Sequence, residues 1–177
     1  MSGTESCADR LGAIVDAVLP ALRGVDDARA ARSPGAGVWS PKQVLGHLVD
    51  SAANNHPRFV RAQSSDGLVF PGYDQEAWVR LQGYQDAPWL PLLELWAAYN
   101  RHLAWLIARI PEEVRLRPRA RHNLHEIAWR HVPAETPATL EYLIADYVGH
   151  CEHHLRQVHE RLGLANPARI GGAETPR

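Results

Sequence analysis

"WSPKQVLGHLVDSAANNHPRFVRAQ", residues 39–63, contains the most legible helix start in the chain. Ser40 is a good N-cap, Pro41 is tolerated at the first helical position, and Gln43 completes a capping box with Ser40. Val44, Leu45, Leu48 and Ala52 then recur at helical spacing, so the stretch predicts a long helix with one buried side. Pro57 falls within this pattern and is expected to kink or loosen it, because its ring removes a backbone donor and crowds the preceding turn.

The same periodicity extends outward from this helix. Leu11, Ile14, Val15, Val18, Leu19 and Leu22 mark a first helix from Cys7 to Leu22. A third runs from Trp89 to Ile110 and is closed by Pro111. A fourth starts at a Thr136 or Thr139 cap and continues to Leu162, where Gly163 stops it. Residues 23–38 read as a connection. The insertion after helix two holds a loop and a short helix around Gln75 to Leu81. The stretch from Pro111 to Pro137 is polar and basic, and only "HEIAW" (125–129) suggests a short element. "RLRPRAR" (115–121) reads as a solvated loop. There is no internal repeat, no heptad seam and no strand alternation. The expected fold is all-α: a four-helix bundle with irregular insertions between helices two and three and between three and four. It forms one domain over residues 1–177, with a frayed tail from about 167.

Composition narrows the function. The 19 cationic and 20 acidic side chains nearly cancel, and Lys42 is the only lysine. A nucleic-acid binder needs a clustered basic surface, so nucleic acid is not an expected partner. No stretch approaches the ~20 apolar residues of a membrane span. With two cysteines and no secretory start, the expected setting is the reducing cytoplasm.

Ten histidines are the unusual feature. In "DYVGHCEHHLRQV" (146–158) the apolar stripe of helix four includes Leu143, Tyr147, Cys151 and Leu155. His150 and His154 lie within or beside it, four apart and therefore on one face. His153 leans to the polar side, with Glu152 and Glu160, and reads as a surface residue. Cys151 is about 100° around the helix from His150 and reads as an apolar core residue. His47 lies at the edge of the inner stripe of helix two. Two rings from one helix and one from a facing helix are a workable set of nitrogen ligands for one divalent ion. Interior histidines are also commonly satisfied by a carbonyl or carboxylate, so spacing leaves both readings open. "HNLHE" (122–126) offers a second pair, but in a loop that argues against fixed geometry.

"WSPKQVLGHLVDSAANNHPRFVRAQ" together with "TLEYLIADYVGHCEHHLRQV" (139–158) resembles the DinB/YfiT-like superfamily of four-helix-bundle metalloenzymes. The likeness covers roughly Leu11 to Leu162. It rests on the Trp-Ser-Pro start, a histidine six positions after that proline, and the late His-x-x-x-His helix. The resemblance implies that His47, His150 and His154 hold one divalent metal, zinc or nickel first, with iron or manganese as alternatives. It also implies a homodimer and a small-molecule substrate. Members of the superfamily include S-transferases that use bacillithiol or mycothiol, a mycothiol-dependent maleylpyruvate isomerase, and proteins described as hydrolases. The expected function is thus a metal-dependent S-transferase, with a low-molecular-weight thiol as cosubstrate, or a hydrolase. The alternative is a noncatalytic bundle with a structural metal or a ligand- or partner-binding role. The candidate catalytic helpers are Asp50, Asn54 and Arg58, which follow His47 down helix two. Asn54 and Arg58 could orient a substrate carboxylate or amide, or simply form solvated surface. Asp146 is read as a surface charge or as an acceptor for His150. Tyr73, Tyr84 and Tyr99 are rim donors or core.

Overall fold

The computed structural model describes residues 5–168, and the tail beyond Ala168 lies outside them. The described residues form eight α-helices. The four long ones are α1 (Cys7–Arg23), α3 (Pro41–Ala62), α5 (Trp89–Ile107) and α8 (Leu140–Arg161). Short helices α2 (Asp27–Ala30), α4 (Gln75–Leu81), α6 (Glu112–Leu116) and α7 (Leu124–Ile127) occupy the connections, with a 3-10 turn at Tyr84–Asp86. No strand is present among the described residues. Two isolated bridges, Leu68 with His122 and Arg119 with Ala138, stitch the two insertions to each other and to the start of α8. Among these residues no helix is long and apolar enough to cross a membrane.

The long helices begin and end where their caps dictate. The Ser6 and Thr139 hydroxyls accept from the backbone N–H groups of Asp9 and Tyr142. Both halves of the Ser40–Gln43 capping box form. Each such cap contributes about 1 kcal/mol. After α8, Gly163 takes a left-handed φ of 61°, which a side chain would disfavour. Helix α3 runs without interruption through Pro57. That residue is exposed, so the carbonyl it leaves unpaired one turn back can be hydrated.

α1 packs on α5 and α8, and α3 packs on the same two, closing a ring in the order α1, α5, α3, α8. Two of the three consecutive pairs of long helices, α1 with α3 and α5 with α8, are diagonal across this ring, and the third, α3 with α5, is adjacent. Trp89, Trp96 and Phe59 are among the largest fully buried side chains. The Trp89 indole N–H donates to the Leu22 carbonyl at 2.9 Å, so its burial leaves no polar atom stranded.

Three details depart from the sequence reading. The third helix ends at Ile107 rather than Ile110, although Ile110 still reaches the core through a turn. α2 and α6 occupy stretches without apolar periodicity. α2 is held by its Asp26 cap, and it presents Asp27, which pairs with the buried Lys42 at 2.7 Å and accepts from the first N–H of α5 at 2.9 Å. The 115–121 segment is no simple solvated loop. Arg119 is buried and donates to the carbonyls of Ala62, Ser65, Val114 and Arg117, tying the insertion to the end of α3.

Candidate metal centre

α3 and α8 pack face to face, and their histidines meet there. His47 from α3 is 1% exposed, and its ring lies 5.1 Å from that of His150 and 4.8 Å from that of His154. One nitrogen from each of the three falls within 4.8 Å of the others. The Nε2 atoms of His47 and His150 are 3.2 Å apart. Two nitrogens sharing an ion at ~2.1 Å in a tetrahedral site would lie roughly 3.4 Å from each other, so this pair already has the required spacing.

The other ring nitrogens define the tautomers. The His154 Nδ1–H donates to the Gln157 side-chain carbonyl at 3.1 Å, and the Gln157 amide donates to His153 Nε2 at 3.0 Å. This chain fixes the orientation of the amide and leaves the His154 Nε2 lone pair free. The Ser51 hydroxyl stands 3.5 Å from His150 Nδ1, at the outer limit of a hydrogen bond. Such partners behind metal-binding rings set tautomer and basicity. His47 Nδ1 has no partner among the described residues, an orphaned buried nitrogen.

Burial keeps all three rings neutral. It pushes His47 down to about 4 and His154 to about 3, the latter helped by nearby His47, and it holds His150 well below the ordinary imidazole value. Neutral imidazoles crowded nitrogen to nitrogen are the donor set a divalent cation requires, so these residues fit such an ion.

A cavity of about 260 Å³ opens beside His47 and His150. Ser51, Asn55, Arg58, Tyr73 and Trp129 contribute to its wall. Of the three helpers expected from sequence, only Arg58 lines it. Asp50 is buried away from the cavity, its carboxylate accepting from the Tyr84 hydroxyl at 2.7 Å and the Gln82 amide at 2.5 Å. Asn54 donates to the Asp50 backbone carbonyl. Of the tyrosines, Tyr73 lies on the rim, Tyr84 is core, and Tyr99 contacts His56.

Asp146 neither sits on the surface nor touches His150. It is buried, and its two oxygens accept the backbone N–H groups of Trp129 and Arg130 at 2.8 Å each. That clasp lays the 128–130 segment over the site, with the Trp129 ring 6.0 Å from His150 and 5.3 Å from His153. His153 is thus half-buried rather than a free surface residue, and Glu152 is buried in an ion pair with Arg10. Cys151 is a buried free thiol, as expected. His122 spends one nitrogen on the Thr136 carbonyl and the other on the Leu124 N–H, so the "HNLHE" pair has no role as a metal site. Ser51, on the polar line that follows His47 down the helix in the sequence, does reach the site, whereas the site roles of Asn55, Gln157 and Trp129 were not read from sequence. Gln157 was discoverable as a helical neighbour of His154, three residues on.

A sequence model of the DinB superfamily matches residues 11–158. "Putative metal-dependent hydrolase YfiT" of Bacillus subtilis is 26% identical over 125 residues, which are 70% of this chain and 64% of that protein, so the match spans less than two thirds of this relative's length. "Putative metal-dependent hydrolase OB0413" of Oceanobacillus iheyensis is 25% identical over 162 residues, 92% of this chain and 82% of that one. The solved structure of B. subtilis YfiT, described as "a probable metal-dependent hydrolase with an unusual four-helix bundle topology", aligns with a TM-score of 0.69 at 22% identity. It covers 90% of this chain and 87% of its own, a likeness of fold.

Proposed function

This chain belongs to the DinB superfamily, and from that membership we propose a metal-dependent hydrolase of small molecules whose divalent ion is held by His47, His150 and His154. The observation that carries this reading is the convergence of three neutral imidazoles within 4.8 Å beside a cavity. Bound there, a divalent ion supplies Lewis acidity, polarising a carbonyl oxygen or lowering the pKa of a water toward ~7. Three protein ligands leave coordination positions for water and substrate, as in catalytic rather than structural sites.

The chain's own residues do the rest. Ser51 and Gln157 orient the rings, and Trp129 shields one side from bulk water. Burial raises the Tyr73 hydroxyl to about 12, so it stays protonated and can donate to negative charge developing on a substrate oxygen. Imidazole donors suit zinc and nickel. The names of the relatives favour hydrolysis over thiol transfer. A low-molecular-weight thiol cosubstrate would call on the same ion to hold its thiolate. The proposal includes a homodimer, supported by the exposed Leu95 and Trp105 on α5; sedimentation should give about twice the 19.7 kDa chain mass.

The test is metal analysis followed by an ester and amide hydrolysis screen. Purified protein should carry about one equivalent of zinc or nickel, and His47→Ala, His150→Ala and His154→Ala should each lose it together with turnover. Protein that stays metal-free under every loading condition would overturn the proposal. Full metal content without turnover of esters, amides or thiol–electrophile pairs would favour the noncatalytic bundle.

A further inference from the structure

Among the described residues, Arg58 is the one fully buried Lys or Arg whose role the fold does not explain. Its side chain belongs to a residue only 6% exposed, and it lines the same cavity as His47 and His150. A guanidinium cannot discharge itself by losing a proton, so burying it without an anion is costly. Two of its five N–H groups find acceptors, the Pro71 carbonyl at 2.9 Å and the Asn55 side-chain oxygen at 3.4 Å. No carboxylate among the described residues pairs with it. Asp146 and Glu126 share the cavity, but Asp146 spends both oxygens on the Trp129 and Arg130 backbone, and Glu126 is exposed beside Asn123 and His125.

Four other buried or half-buried cations show what a structural role looks like. Lys42 has Asp27, Arg10 has Glu152 and Arg115 has Glu141. Arg119 is buried without an acid, yet its donors reach four backbone carbonyls. Arg58 has neither arrangement.

From these observations we infer that Arg58 is a carboxylate clamp, and that the substrates of this protein are small molecules bearing a carboxylate remote from the reacting group. The inference rests on the proposed metal centre and adds a substrate class to it. A single guanidinium, the only Arg or Lys lining the cavity among the described residues, matches a monoanion, and its planar donor edge fits a carboxylate two-pronged. Asn55 braces the guanidinium from one side, and Tyr73 places a protonated hydroxyl on the same cavity wall. The helix also sets a length. Ser51 touches His150, and Arg58 lies seven residues farther along α3, roughly 10 Å of axial rise. Helical side chains lean back toward the N-terminus, which brings the clamp to roughly 8–10 Å from the histidines.

A matched pair of probes tests this on the metal-loaded protein. Suberic acid monohydroxamate carries a metal-binding head and a carboxylate tail; its amide differs only in a neutral tail. Calorimetry should show the acid binding about 10–100-fold tighter than the amide. Arg58→Gln should reduce the acid to the level of the amide while leaving the amide unchanged, and Arg58→Lys should restore part of the preference. Equal affinity of both probes for the wild-type protein overturns the clamp and leaves the metal centre standing. Failure of both probes to bind, with one equivalent of metal measured in the same sample, overturns the open metal centre and the clamp with it. The wild-type comparison decides the matter even if Arg58→Gln misfolds.

Discussion

Gln157 uses both ends of its amide on histidines, accepting from His154 and donating to His153, so it holds a metal-site ring without being a ligand itself. Removing such a partner typically weakens metal affinity without unfolding the protein. Gln157→Ala should therefore lower affinity by roughly 10–100-fold in a chelator competition while thermal unfolding of the metal-free protein barely moves. The rings themselves couple the site to pH. Unfolded, each imidazole takes its proton near 6.5; folded and metal-free, His47 does so near 4 and His154 near 3. Between these values the unfolded chain binds more protons, so stability rises with pH across the window and is lost on acidification. Urea unfolding of metal-free protein at pH 7.5, 6 and 5 should show losses approaching ~1.4 kcal/mol per pH unit for each such ring below 6.5. A flat profile would mean that the rings are hydrated in the absence of metal.

Gly46 illustrates how elements constrain the centre. An Ala there would ordinarily help a helix by about 1 kcal/mol. In α3, however, the added Cβ would overlap the ring of Tyr84, which is anchored by its hydrogen bond to Asp50. Overpacking of this kind costs about 1–3 kcal/mol and outweighs the gain, so Gly46→Ala should lower the melting temperature and shift neighbouring His47. The caps and apolar stripes of the long helices are legible in the sequence because they are local: Ser40 with Gln43, Thr139 with Tyr142, and residues three and four apart. α2 and α6 are not legible, since helices of four or five residues are too short to show apolar periodicity and lean on remote partners such as Lys42 for Asp27 and Glu141 for Arg115. Asp50, Asn54 and Arg58 look equivalent as polar residues following His47. The 3-10 turn and the 63–74 loop sort them, taking Asp50 into the core and leaving Arg58 on the cavity wall.

At the scale of the molecule, a metal held by the proposed ligands should reinforce the fold, because His47 and the pair His150 and His154 come from two helices that are packed together only in the native state. A ligand at a hundred times its Kd adds about 2.7 kcal/mol to stability. For a domain of this size that corresponds to roughly 5–10 °C in melting temperature. Zinc or nickel should produce such a rise in differential scanning fluorimetry, and chelation should reverse it. The all-helical class could be anticipated from the apolar periodicity, and the partnership of α3 with α8 from the places of His47, His150 and His154 on their inner stripes. The ring order could not, since the same apolar stripes are buried whichever helices are diagonal.

His47 and His150 are 103 residues apart in the chain, and α8 is the last long helix among the described residues. During synthesis, then, α3 emerges from the ribosome well before the rings that complete its site, and a nascent chain stopped before Leu140 presents a lone imidazole with little hold on any ion. With the proposed ligand set, an ion would find its three nitrogens together only once α8 has docked on α3.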